Sequence, residues 1–173
     1  MEPEILGGDG VQEDFEVFYD REFSQVVGLA YALCGSWPTA EDLAQDAFVS
    51  AKRRWSVVGA YEQPGAWVRR AVANRSVSLT RRRVSEAKAM LRLRRQRRVD
   101  PPDLDGTDDK FWSEVRRLTP RQRQVISLHY VNDLRVREIA EVLEISEATV
   151  KTHLQRARST LQARLADQRG LRP

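Results

Sequence analysis

The chain has 173 residues, enough for one ordinary domain or two small ones. Its 41% hydrophobic and 31% charged content suits small helical modules with much exposed surface, and the net charge of +4 conceals larger local asymmetries. One cysteine, Cys34, excludes an intramolecular disulfide, and with only His129 and His153 beside it no metal-ligand spacing exists, so neither a cofactor nor a metal is expected.

Residues 1–11 read as a flexible leader, acidic and glycine-rich, unlike a signal peptide. The periodicity beyond it is helical nearly throughout, and sustained strand-type alternation is missing. A first helix is expected over Glu13–Leu33, with Phe15, Phe18, Phe23, Val26, Val27, Ala30 and Leu33 as its apolar set. Cys34 fits a small core residue. Gly35, Ser36, Trp37 and Pro38 break the helix. Thr39, with Asp42 three residues on, then starts a second helix reaching about Trp55, whose apolar set is Leu43, Ala47, Phe48 and Ala51. Ser56–Gln63 reads as a loop. Pro64 opens a third helix, where its missing N–H costs little, and the helix passes Trp67, Val68, Ala71, Val72 and Val77 toward Arg83.

Charge then changes sign abruptly. Arg81–Arg98 holds nine Arg or Lys against the single Glu86, whereas Asp100–Asp109 holds five Asp with Pro101, Pro102 and Gly106. This composition marks a linker, with a new module from about Lys110. Thr119-Pro120-Arg121-Gln122 combines a cap, a first-turn proline and a box-closing glutamine, and so starts a helix.

The run Val136–Arg158 reads as two short amphipathic helices joined by a tight turn. Ile139, Val142, Leu143, Ile145, Val150 and Leu154 are its apolar set, Ala140 is small where the helices would touch, and Ser146 is placed to cap the second helix. That second helix carries Thr149, Lys151, Thr152, Gln155 and Arg156 between its apolar positions. A DNA-recognition helix needs this division, with one face holding the domain and the other offering donors to bases and phosphates. An ordinary helical hairpin with a solvated basic face shares the pattern. Glu144 stands at the turn position usually filled by glycine. A left-handed backbone there costs a non-glycine residue about 1 kcal/mol, so the turn is either mildly strained or differently shaped.

Two blocks resemble the extracytoplasmic-function sigma factors of bacterial RNA polymerase, within the sigma-70 family. One is AEDLAQDAF (Ala40–Phe48) followed by AWVRRAVANRSVSLTRRR (Ala66–Arg83); the other is Leu118–Arg158. The resemblance implies an all-α chain of two small helical domains joined by a charged flexible linker. The N-terminal domain would cover residues 12–98, the acidic linker 99–109, and the C-terminal domain with the helix-turn-helix 110–173. It also implies a non-enzymatic initiation factor, located in the cytoplasm, with core RNA polymerase and promoter DNA as partners. An anti-sigma factor is typical of the group, no membrane contact is expected, and the protein alone should be a monomer.

By the same resemblance, polymerase docking falls on Glu41, Asp42, Gln45 and Asp46, whose carboxylates could pair with Arg or Lys of a partner. Helix-dipole complementarity would account for Glu41 and Asp42 equally well, but not for Asp46, which lies deeper in the helix. Readout of the minus-thirty-five element falls on Thr149, Lys151, Thr152, Gln155 and Arg156, with Arg121 and Arg123 as phosphate contacts. Minus-ten readout and melting fall on Tyr61, Trp67, Arg70, Asn74, Arg75 and Ser78, an aromatic and polar set suited to stacking an unpaired base and holding the strand. Trp67 could equally be core, Trp55 is read as core, and Arg164 and Arg169 as solvated charges. The basic tract Arg92–Arg98 reads either as an arm toward DNA or as a solvated tract. The acidic linker resembles the connector that enters the polymerase near its RNA path. A stand-alone helix-turn-helix regulator is the main rival, but it leaves the acidic helix and the Trp/Arg helix unexplained. A nucleic-acid enzyme would need a metal carboxylate cluster, a phosphate loop or a nucleophile–base pair.

Overall fold

A computed structural model describes residues 13–93 and 107–168. The leader, most of the acidic linker, Arg94–Arg98 and Arg169 lie outside the described residues. Eight helices are described: α1 (Phe15–Cys34), α2 (Trp37–Lys52), α3 (Trp55–Val58), α4 (Pro64–Leu93), α5 (Thr107–Arg116), α6 (Pro120–Tyr130), α7 (Val136–Leu143) and α8 (Glu147–Gln168).

The N-terminal module packs α1, α2 and α4 against one another. Asp14 caps α1 by accepting from the Glu16 N–H at 3.2 Å, and Gly35 ends it at φ 74°, a conformation that glycine adopts without a Cβ clash. The expected Thr39 start of α2 is corrected to Ser36, because Trp37 and Pro38 already hold helical positions. Thr39 instead donates to the Ser36 hydroxyl at 3.1 Å. The segment read as a loop contains the single turn α3, and α2 stops three residues before Trp55.

Phe18 and Phe48 lie at the centre of this module with ring centroids 5.9 Å apart, and Tyr19, Phe23 and Trp55 surround them. Trp55 packs on Phe15 and Phe18 and donates from Nε1 to the Glu13 carbonyl at 3.1 Å, so it belongs to the core as expected. Arg69 of α4 reaches Glu22 of α1 at 2.7 Å in a largely buried pair. Cys34 is half-buried, and its thiol lies 3.4 Å from the Ser36 carbonyl.

In the C-terminal module, α8 packs on α5, α6 and α7. Thr107–Asp109, expected in the linker, begin α5 instead. Acidic residues suit a first turn, and Phe111, Trp112 and Val115 give the segment an apolar stripe. Buried Glu114 of α5 pairs with Arg117 at 2.7 Å and with Arg164 of α8 at 3.7 Å, so Arg164 is an inter-helix tie rather than a solvated charge. Thr119 and Gln122 form the expected capping box.

The two modules also touch each other. α4 lies on α7, and α1 lies on α5 and α6. Gly28 permits this approach, since a Cβ there would come within 3.3 Å of the Val131 side chain.

Removing the central ring should be costly. Phe48→Ala is expected to destabilise the N-terminal module by about 3–5 kcal/mol, read as a lower urea midpoint monitored by far-ultraviolet dichroism.

Candidate nucleic-acid and polymerase interfaces

Helix α2 buries Ala40, Leu43, Ala44, Ala47, Phe48 and Ala51. Its 3.6-residue period therefore turns Glu41, Asp42, Gln45 and Asp46 outward, and all four are exposed. Among the described residues no ion pair engages these carboxylates. Val49 lies in the same strip and is 49% exposed, an apolar residue inside an acidic face that the sequence reading did not single out. Its position, three residues beyond Asp46 and opposite the alanines, was the available signal.

The expected minus-ten set divides. Asn74 and Ser78 of α4 are exposed, with the Ser78 hydroxyl donating to the Asn74 carbonyl at 3.3 Å. Trp67 and Tyr61 are half-buried and pack against the core. Arg75 is tied to the Ser50 hydroxyl of α2 at 2.8 Å. Arg70 is turned toward the other module, donating to the Val142 and Glu141 carbonyls and to the Glu144 carboxylate. The six residues thus share α4 and the segment before it but do not present one open face.

The helix-turn-helix forms as its spacing implies. Ile139, Ala140, Val142 and Leu143 of α7 meet Val150, Leu154, Ala157 and Leu161 of α8 in the core. Glu144 does adopt the left-handed conformation, at φ 52° and ψ 49°. The Ile145 N–H reaches back to the Ala140 carbonyl at 3.1 Å, so the turn keeps the usual helix-ending bonds without a glycine. Ser146 accepts from the Thr149 N–H at 3.2 Å, the expected cap. Thr149 is half-buried and its hydroxyl lies 2.8 Å from that of Ser146, so it helps form the cap. Lys151, Thr152, Gln155 and Arg156 are exposed along α8, with the Thr152 hydroxyl bonded back to the Ala148 carbonyl.

A shallow cleft beside this face is lined by Gln122, Thr152, Gln155, Arg156, Ser159 and Thr160. It combines the start of α6 with hydroxyl, amide and guanidinium donors, chemistry suited to a phosphate backbone. Arg121 is exposed nearby. Arg123, expected as a phosphate contact, is corrected: it is buried and donates to the Leu33 carbonyl at 3.2 Å. Its position on α6 turns it toward α1 rather than toward solvent. His153, which the sequence offered only as a histidine outside any metal-ligand spacing, is half-buried on α8. Burial, then the charges of Arg121 and Arg156, hold its pKa below the usual histidine value.

Residues 18–86 match sigma-70 region 2, and residues 108–161 match sigma-70 region 4. An RNA polymerase sigma-E factor of Streptomyces avermitilis is 30% identical over 137 residues, covering 76% of this chain and 76% of the relative. The chain belongs to the sigma-70 family of RNA polymerase sigma factors. Within that family it is similar to the extracytoplasmic-function factor SigW of Bacillus subtilis, at 26% identity over 91% of this chain and 92% of the relative. BldN of Streptomyces coelicolor, another such factor, is 31% identical over 91% of this chain, which spans 62% of BldN. The chain is a member of the extracytoplasmic-function group. The sigma factor RpoE of Bartonella quintana, solved with the anti-sigma factor NepR, shares the fold of this sigma factor. The TM-score is 0.69 and the identity 23%, over 88% of this chain and 96% of that one.

DNA phosphates arriving beside Arg121 and Arg156 should relieve the field on His153. Its pKa should rise on binding, so affinity for a promoter duplex should increase as pH falls through the bound-state value. An NMR titration of the imidazole with and without duplex checks this; an unmoved His153 would place the phosphates elsewhere.

Proposed function

We propose that the exposed faces of the two modules divide the work of a promoter-directing initiation factor. As a sigma factor, the chain binds core RNA polymerase and directs it to promoters. In our reading, Glu41, Asp42, Gln45 and Asp46 dock on a basic surface of the polymerase. Lys151, Thr152, Gln155 and Arg156 read the minus-thirty-five element, with Thr149 fixing the helix start and Arg121 on phosphate. Tyr61, Trp67, Asn74, Arg75 and Ser78, joined by Arg70, serve the minus-ten element and its opening. The chain carries out no bond chemistry of its own, acts where the polymerase is, and binds without a cofactor.

The observation that carries this reading is the pair of exposed polar faces on separate modules: an acidic one on α2 and a basic, hydroxyl-rich one on α8. A stand-alone regulator needs the second and has no use for the first. An anti-sigma factor is a further partner we assign, since the RpoE relative was solved with one. Among the described residues no helix is long and apolar enough to cross a membrane.

Asp46→Arg tests the docking face. It should weaken binding to core polymerase on the order of tenfold or more, because it places like charges together at a charged interface. Binding that ignores the substitution would remove Asp46 from the interface; a well-folded wild type that never binds core polymerase would overturn the docking assignment altogether. Lys151→Ala should weaken binding to a duplex carrying the minus-thirty-five element by about 1–3 kcal/mol and relax its preference over a scrambled duplex, measured by fluorescence anisotropy.

A further inference from the structure

One flank of α8 carries a cluster that none of the assigned roles uses. Arg158 lies over the Tyr130 ring, its guanidinium carbon 5.8 Å from the ring centroid. Its Nε donates to the Tyr130 hydroxyl oxygen at 3.1 Å, and its Nη2 to His129 Nε2 at 3.1 Å. His129 is set in turn by a third contact, since its Nδ1 lies 2.9 Å from the Leu134 carbonyl. A carbonyl only accepts and a guanidinium only donates. In this arrangement the imidazole therefore carries its proton on Nδ1 and leaves Nε2 bare for Arg158.

Arg158 is exposed, and among the described residues no carboxylate pairs with it. It is nonetheless held by two neutral acceptors and an aromatic face. Ordering a long side chain costs entropy, and here that cost is met before a ligand arrives. The N–H groups not spent on Tyr130 and His129, with the Tyr130 hydroxyl proton, are left for an anionic oxygen. Tyr130 is 52% exposed, a large ring kept at the surface as the shelf for this guanidinium.

Position along α8 decides which anion. Lys151 and Arg158 are seven residues apart, close to two helical turns, and with Gln155 and Gln162 they form one exposed row free of acids. A recognition helix enters the major groove by its first turns. Arg158 stands eleven residues beyond Glu147, about 16 Å along the axis, whereas the groove is roughly 12 Å wide and roughly 8.5 Å deep. At that level the helix has left the base edges and lies at the rim, where the phosphodiester strand is what remains within reach.

We propose that Arg158, oriented by His129 and Tyr130, forms with the Tyr130 hydroxyl a preset grip on a backbone phosphate flanking the element read by Lys151, Thr152, Gln155 and Arg156. The grip takes its place from the minus-thirty-five reading of α8, and it fixes register without reading sequence. Arg158 and Tyr130 touch the phosphate, whereas His129 is a positioning residue that acts through Arg158.

Fluorescence anisotropy of the full chain on two duplexes, one carrying the element and one scrambled, tests the grip across a salt series. Arg158→Ala should lower the slope of log affinity against log salt by about 0.9 on both duplexes. It should leave the preference between them unchanged, the reverse of Lys151→Ala. His129→Ala should weaken both duplexes alike with the slope retained, because the charge stays but its aim is lost. His129→Gln, whose amide oxygen can accept from Arg158, should restore the affinity. Unchanged dichroism spectra keep these effects distinct from unfolding. An unaltered slope in Arg158→Ala would overturn the grip, as would a loss confined to the element duplex, which would make Arg158 a base contact. Unchanged DNA binding beside weaker binding to core polymerase would assign the cluster to an acidic protein surface and sink the grip as well. A His129→Ala variant that binds like the wild type would remove the positioning role. A wild type without preference between the duplexes, whose slope Arg158→Ala still lowers, would keep the grip and remove the minus-thirty-five reading.

Discussion

Each helix of this chain must bury one stripe and leave the other for a partner, and that constraint organises the molecule. It is clearest in α2. Its alanines and Phe48 sink into the aromatic cluster around Phe18, which leaves the carboxylates nowhere to point but outward. The exposed acidic face is therefore a by-product of core packing: the same side chains that fix the helix also aim Asp42 and Asp46. In α8 the apolar line Val150, Leu154, Ala157 and Leu161 does the same for Lys151, Gln155 and Arg156. Neither face needs a loop to position it, which suits surfaces that must be ready before a partner arrives.

Polar groups that cannot face water are handled differently in the two halves of the molecule. Inside each module some are met by charge, as in Arg69 with Glu22 and Arg164 with Glu114, and others by carbonyls, as in Trp55 with Glu13 and Ser76 with Ala73. Between modules they are met mainly by backbone carbonyls. A buried opposite-charge pair is hard to break because either partner left alone is penalised. A guanidinium on carbonyls can exchange those partners for water or phosphate with less loss.

Glu144 shows how one local exception serves a longer-range contact. Glycine would satisfy the turn with no steric cost. Glutamate bears about 1 kcal/mol of left-handed strain, kept within a normal pattern of helix-ending bonds, and places a carboxylate beside Arg70. The strain is local and the charge acts across the module boundary.

The sequence by itself determined the long helices though not α3 or α5, the caps at Thr119 and Ser146, the division into two modules and the family, because periodicity, capping and motif spacing act over a few residues. It also determined the exposed carboxylates of α2, since one buried face settles the other. It misplaced the start of α2, where Ser36 and Thr39 are both competent caps and only the packing of Trp37 on Tyr31 and of the chain after Gly35 separates them. Only the tertiary structure decided the fates of Arg70, Arg123, Arg75 and Arg164. An arginine has the same local signature whether it meets solvent, a carboxylate or a carbonyl, and the choice depends on which remote segment is folded against it. The partners of Arg70 and Arg123 lie more than seventy residues away in the chain, beyond the reach of any local pattern.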